Sequence, residues 1–174
     1  MPFFAKPKYC PRCGNDQLQP YERDHYQCQT CQFIMFKNPI PANCAIIIKD
    51  SQLLYAKRAR EPRKGCWDFP GGFVEIKESG EAATIRECQE ELGVKVRVLN
   101  YICSLNDRYY NQGFDDLVLN LYYACEIISG KPKPSDDVSE IKWFPIDQPP
   151  DQIAFEHMRT ALPIIQRYHK KQRK

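Results

Sequence analysis

The sequence has no run of 18 apolar residues, so no helix that crosses a bilayer is expected. Its opening stretch, MPFFAKPKYC, lacks an apolar h-region, which argues against a secretory leader. Net charge is scarce as well. The 25 Lys and Arg against 22 Asp and Glu leave +3, too small an excess to argue for a nucleic-acid partner by itself. Much of that excess sits in the tail HKKQRK, which reads as the solvated end of a terminal helix. Internal repeats and low-complexity tracts are also missing, and 174 residues suit one compact domain with a small appendage.

Cysteine, by contrast, is abundant. There are nine, an odd number, and several sit inside strand-like or helix-like runs such as NCAIIIKD. That pattern argues against a secreted disulfide framework and for a reducing, cytoplasmic setting.

Residues 1–36 have paired cysteines, aromatics and polar residues but no periodic apolar pattern. KNPIPAN then predicts a linker, which puts a boundary between 1–36 and a second domain over 37–174. In that second part CAIIIKD and LLYAKRAR read as two strands joined by a tight turn at Asp50-Ser51. A helix follows, capped by Ser79, with Glu81 in its first turn and Gly93 ending it. VKVRVLNYICSL, DDLVLNLYYACEII and SEIKWFPID read as further strands. The spacing of Ile153, Phe155, Met158, Leu162 and Ile165 predicts a last helix, kinked at Pro163. Strands outnumber helices in mixed order, which favours an α+β sandwich over a doubly wound sheet.

Cys10, Cys13, Cys28 and Cys31 form two C-x2-C knuckles separated by 14 residues. Four thiolates at this spacing suit a closed tetrahedral zinc, structural because no coordination position stays open. The segment is too small to fold on its own core, and metal binding supplies the missing stability. Gly14 fits the sharp turn after the first knuckle, and Gln32 departs from that pattern after the second. Tyr9, Arg12, Tyr21, Arg23 and Tyr26 mix basic and aromatic side chains that could stack on bases. No dense basic cluster accompanies them, so a nucleic-acid partner is disfavoured without being excluded.

The stretch GGFVEIKESGEAATIRECQEELGV spends six glutamates on 24 positions. At about 100° per residue, Glu87, Glu90 and Glu91 share one helix face, and Ile85, Cys88 and Leu92 form a separate apolar face. Like charges gathered this way are either a solvated stripe or a site for a cation, and the pattern alone leaves both open. A hard divalent ion, magnesium or manganese, would resolve the repulsion and bridge to phosphates. The preceding Pro-Gly-Gly turn allows close backbone approach and an exposed carbonyl ligand.

The same residues resemble the Nudix box, G-x5-E-x7-R-E-U-x-E-E-x-G-U with U a bulky apolar residue. Gly72, Glu78, Arg86, Glu87, Cys88, Glu90, Glu91, Gly93 and Val94 fill it, with Cys88 as the soft departure in an apolar slot. With the ribbon, WDFPGGFVE and EIKWF, the likeness extends over residues 9–145 and is similar to Nudix enzymes of the NADH pyrophosphatase type. The resemblance implies the Nudix fold, a mixed sheet between helices and often a homodimer. It also implies magnesium-dependent cleavage of a nucleoside diphosphate linked to another group, such as NADH or ADP-ribose. By that likeness Glu87 and Glu91 ligand the ion, Glu90 is ligand or base, and the Gly71 carbonyl and Glu140 are further ligands. Arg86 pairs with Glu78 to orient the helix, with Glu75 close by. NADH-selective members carry a run rich in Ser, Gln, Pro and Trp after the box. SLNDRYYNQGFDD stands there instead, with Tyr109, Tyr110 and Phe114 as aromatics for base stacking or for the core. Two alternatives stay open: a protein that holds capped RNA on its ribbon, and a nucleotide-binding Nudix module without catalysis.

Overall fold

The computed structural model describes residues 7–22, 25–111 and 114–173, and no side chain at 111, 114 or 115. The aromatic expectation at Phe114 and the Arg23 side chain therefore lie outside what is described. Three short strands come first: β1 (Leu18–Tyr21), β2 (His25–Cys28) and β3 (Ile34–Met35) form an antiparallel sheet in the order β1-β2-β3. Its small core is Cys10, Leu18 and Cys28.

A six-stranded mixed sheet carries the rest. β4 (Ile40–Lys49), β5 (Gln52–Arg58), β6 (Trp67–Asp68), β7 (Lys95–Asn111) and β8 (Phe114–Ser129) run in the order β6-β5-β4-β8-β7, and β9 (Val138–Pro145) pairs with β5. β4 and β8 are parallel, whereas β7 and β8 are antiparallel. β4 begins inside the stretch expected as a linker. Pro41 lies in the strand opposite Leu119, and its carbonyl accepts from the Val74 N–H at 3.0 Å. The β4–β5 turn falls at Asp50-Ser51 as expected, both residues at positive φ (50° and 59°). That is the primed two-residue turn whose twist suits a hairpin.

Alternation along the central strands buries both faces of the sheet. Cys44, Ile46, Leu53, Tyr55 and Tyr122 pack on one side with Met158, Ala161, Leu162 and Ile165 of α2 (Glu156–Gln172). Ala45, Ile47, Leu54, Tyr123 and Cys125 pack on the other with Cys88 and Leu92 of α1 (Gly80–Leu92). The fold is α+β, a mixed sheet between two helices. α2 starts later than the spacing suggested. Ile153 instead bridges to Trp67, Phe155 is the residue before the first turn, and the helix runs continuously through Pro163.

Candidate active site

α1 is built as its sequence demands. Ser79 Oγ accepts from the Ala82 N–H at 3.2 Å, and Gly93 closes the helix in the left-handed region with φ 65°. The Gly93 N–H reaches Gln89 O and the Val94 N–H reaches Cys88 O, the double bond that ends a helix on glycine. One expectation needs correction. Ile85, assigned to the apolar face, is 42% exposed, while Ala83, Thr84, Cys88, Glu91 and Leu92 are buried. The core-facing arc is rotated toward the acidic stripe, so its middle falls near Thr84 and Glu91, and Ile85 lies past its edge.

This rotation separates the three glutamates. Glu91 is 7% exposed and accepts the Gly71 N–H through Oε2 at 2.9 Å. Glu87 is half-buried under the Gly71-Gly72 turn, so close that a Cβ on Gly72 would lie 2.5 Å from its Oε1. Glu90 is exposed. Arg86 ties Glu87 and Glu90, but not Glu91, to the preceding loop with five hydrogen bonds. Its Nε and Nη2 fork onto the two Glu78 oxygens at 3.0 Å each, Nη1 reaches Glu87 at 2.8 Å and Glu90 at 3.0 Å, and Nη2 also reaches the Phe73 carbonyl. Glu75 joins through its backbone N–H, which donates to Glu78 Oε2 at 3.1 Å.

The charges respond to this arrangement. The Arg86 hydrogen bonds hold the Glu78 carboxyl below its ordinary value. Burial pushes Glu87 up against the opposing pull of Arg86. Burial raises Glu91 well above the carboxylate range, and the nearby charges of Asp137, Glu87 and Asp68 add to it. Asp68, half-buried, is raised by loss of solvent while Arg58 Nη1, 2.9 Å away, opposes the rise.

The Pro70-Gly71-Gly72 segment lies along β4. Pro70 O accepts from Ala45 N at 2.7 Å, and Gly72 O takes both the backbone N–H (2.8 Å) and the side-chain Nδ2 (3.0 Å) of Asn43. Gly71, between them, turns its N–H the other way, to Glu91. Its φ of 145° is open to glycine, and a Cβ there would overlap the Asn43 carbonyl oxygen. Gly71, Glu91, Asp68, Asp137 and Arg58 line a cavity of about 10 Å³, close to the room that a single water-sized group needs.

Gly71, Asp68, Arg58 and Asp137 also border a larger cleft of about 150 Å³, whose other walls include Phe73, Asp107, Tyr109, Asn120, Phe155 and His157. Phe73, Tyr109 and Phe155 form a continuous aromatic wall, with ring centroids 5.5 Å and 6.0 Å apart. The Arg58 guanidinium sits 5.1 Å over Phe155.

Of the residues expected to act together, the structure brings Gly71, Glu87, Glu90 and Glu91 around Arg86 and the turn. Glu140 is elsewhere: exposed on β9, it pairs with Lys57 at 3.0 Å. The carboxylate close to Glu91 and Glu87 is Asp137, ahead of β9. Sequence reasoning missed Asp137, Asp68 and Asn43. Asp137 and Glu140 are near neighbours in one polar run, and only the β5–β9 register separates their environments. Tyr109 lies in the cleft, and Tyr110 is exposed at 64%.

In the N-terminal sheet the four cysteine sulfurs lie within 4.8 Å of one another, the only group of three or more candidate metal ligands so gathered among the described residues. Gly14 (φ 71°) and Gln32 (φ 59°) make matching left-handed turns, each donating its N–H back to the first cysteine of its knuckle. Gln32 thus adopts the turn that its residue type disfavours. Backbone N–H groups, that of Cys31 foremost, draw the Cys28 thiol below its ordinary value. The set fits a thiophilic ion such as zinc.

Comparison with known proteins agrees with this geometry. The NUDIX domain model matches residues 38–164. An ADP-ribose pyrophosphatase of Methanocaldococcus jannaschii is 36% identical over 128 residues, 72% of this chain and 73% of its own length. A NAD-capped RNA hydrolase, NudC, of Pseudomonas aeruginosa is 32% identical over 147 residues, 82% of this chain but 49% of its own length. The chain thus spans about half of that relative. Among solved structures, a NUDIX hydrolase from Nitrosomonas europaea superposes with a TM-score of 0.70 at 25% identity, covering 93% of both chains. A MutT NUDIX hydrolase from Burkholderia pseudomallei gives 0.66 at 29% identity over 74% of this chain and 99% of its own. With its box, its sheet between two helices and a family match over most of its length, this chain belongs to the NUDIX family and is a Nudix hydrolase.

Proposed function

We propose that the protein hydrolyses the diphosphate of a nucleoside diphosphate linked to another group, with ADP-ribose as the leading substrate. The observation that carries this reading is continuity. Gly71, Asp68, Arg58 and Asp137 border both the ion-sized cavity beside Glu91 and the aromatic cleft, so a base on the aromatic wall and a diphosphate beside the acids fit one ligand. Identity to an ADP-ribose pyrophosphatase over most of both chains, and the lack of the Ser/Gln/Pro/Trp run, favour ADP-ribose over NADH.

A divalent cation fits the acidic cavity, because hard oxygen donors surround it and the buried Glu91 has carboxylate neighbours to be balanced. Glu87, Glu91, Asp137 and the Gly71 carbonyl would hold magnesium or manganese. The ion, when bound, polarises the phosphoryl group and makes a water more acidic. The chain's own part is positioning. Arg86 and the Gly71 amide each engage one oxygen of the helix glutamates, leaving a second for a cation or a proton. Glu90, the exposed member, takes the proton of the attacking water. That water adds to one phosphorus, the bridging P–O bond breaks, and the departing phosphate carries away the electron pair. ADP-ribose then yields AMP and ribose 5-phosphate. The four cysteines hold zinc as a structural ion for a ribbon over residues 1–36, and the free thiols at Cys44, Cys66, Cys88, Cys103 and Cys125 suit a cytoplasmic site of action.

A second reading rests on the ribbon. Tyr9 and Phe36 are exposed there, Lys8 lies over Tyr9 and Lys37 over Tyr26, an arrangement able to stack and neutralise a single strand. Together with the NudC likeness it points to the capped end of an RNA as substrate. One panel separates the two: product release from ADP-ribose, NADH, nucleotide sugars, nucleoside triphosphates and a NAD-capped oligonucleotide, with and without magnesium. The highest kcat/KM on ADP-ribose is expected. Preference for nucleoside triphosphates, or no turnover of any diphosphate-linked nucleotide, would overturn the reading.

A further inference from the structure

α2 begins without a cap of its own, because Phe155 stands at the position where a Ser, Thr, Asp or Asn would accept an N–H of the first turn. The acceptor comes from another element. Asp107, on β7 and 50 residues away in sequence, takes the His157 N–H on Oδ2 at 3.1 Å. Its other oxygen takes the N–H of Arg108 at 2.7 Å. The ring of the same His157 is buried, with Nδ1 hydrogen-bonded to the Tyr122 hydroxyl of β8. The first turn of α2 is therefore pinned to two strands, through its backbone to β7 and through its side chain to β8.

That turn carries the cleft wall. The Phe155 ring stacks on His157 at 5.7 Å, lies 6.0 Å from Tyr109 and is covered by the Arg58 guanidinium. A carboxylate at the border of a cleft meant for an anionic ligand is costly unless its charge is offset. Here two backbone N–H groups and the positive end of a helix offset it. The residue's value therefore lies in what it holds. We propose that Asp107 is a positioning residue that caps α2 from β7 and so fixes Phe155 in the nucleotide-binding wall. This rests on the reading of the cleft given above.

The test uses the full chain and AMP as probe, so that no turnover is needed. Asp107→Ala is expected to weaken AMP binding in calorimetry about fivefold, a size in keeping with losing one helix cap. It should also speed hydrogen exchange of the His157 amide. Asp107→Asn, which keeps an acceptor oxygen, should stay within about twofold of wild type in both readouts. Phe155→Ala reports on the wall itself. If Phe155→Ala loses AMP affinity while Asp107→Ala binds as wild type, the positioning role is wrong and the cleft reading stands. If Phe155→Ala binds AMP as wild type, the cleft reading fails and the proposal with it. Unchanged His157 exchange in Asp107→Ala overturns the cap directly, whatever the affinities. If Asp107→Ala does not fold, the Asp107→Asn variant decides: wild-type exchange and affinity support the cap, and a loss of both overturns it.

Discussion

Replacing Arg86 by glutamine should loosen the loop that carries the Gly71-Gly72 turn without dismantling the sheet. The Arg86 side chain is 23% exposed, and the Glu78 and Glu87 side chains are each 14% exposed. Removing one partner of a buried ion pair costs about 3–5 kcal/mol, because the other charge is left uncompensated. Partial access of water reduces that here to about 2–3 kcal/mol. The Glu90 arm, at 49% exposure, adds no more than about 0.5 kcal/mol. For a chain of this length each kcal/mol moves the midpoint by about 2–4 °C, so the fall should be about 4–12 °C. Lysine at 86 keeps the charge but not the fork and should fall between. The assay is thermal unfolding of Arg86→Gln, Glu78→Gln and the double variant. The fork predicts that the double variant loses clearly less than the sum of the singles. Additive losses, or a midpoint within about 1 °C of wild type for Arg86→Gln, would refute the reasoning.

Other perturbations follow from the same geometry. Gly71→Ala places a Cβ against the Asn43 carbonyl at φ 145° and should cost about 2–4 kcal/mol in urea unfolding. Wild-type stability in that variant would mean the turn is not held as described. Burial holds the His157 imidazole down to about 4 from 6.5, so between those values the unfolded chain binds the extra proton. Stability from this site is therefore complete above about pH 6.5 and lost as pH falls toward 4, up to about 3 kcal/mol. Against His157→Gln, wild type should lose about 2–3 kcal/mol more between pH 7.5 and 4.5; equal losses would contradict a neutral buried ring. Removing the ribbon ion with a chelator, or Cys10→Ser, should abolish protection of residues 8–35 in hydrogen exchange. With magnesium restored to the assay, ADP-ribose turnover should fall by less than about threefold, and a zinc-free protein with unchanged ribbon protection would contradict the zinc assignment.

What the chain discloses in one dimension is local. The Ser79 cap, the Gly93 stop and the Asp50-Ser51 turn depend on neighbouring backbone alone, and all three are where the residues placed them. The cysteine knuckles and the glutamate box were legible for the same reason, since their spacing is their geometry. The failures are all tertiary. Ile85 looked like a core residue because periodicity records which side chains are apolar, and not how far a helix is rolled on its sheet. Glu91, one position from an exposed glutamate, is buried because the Gly71 N–H needs an acceptor there. Choosing between Asp137 and Glu140 needed the pairing of β9 with β5, a register that no local pattern encodes. Asn43 reads as an interruption in an apolar strand until its two bonds to Gly72 are seen. The capping of α2 by a residue 50 positions earlier is likewise invisible without coordinates.

The central claim is that the acidic face of α1 and the Gly71-Gly72 turn together hold a divalent ion that makes hydrolysis of a diphosphate possible. The most direct measurement is AMP release from ADP-ribose by wild type, Glu90→Gln and Glu91→Gln as magnesium is titrated, beside calorimetric binding of manganese alone. The account predicts no wild-type turnover without the metal. Both variants should lose about 10²-fold or more in kcat while folding normally, with manganese affinity lost in Glu91→Gln and largely kept in Glu90→Gln. Metal-independent release of AMP, or wild-type rates in both variants, would contradict it.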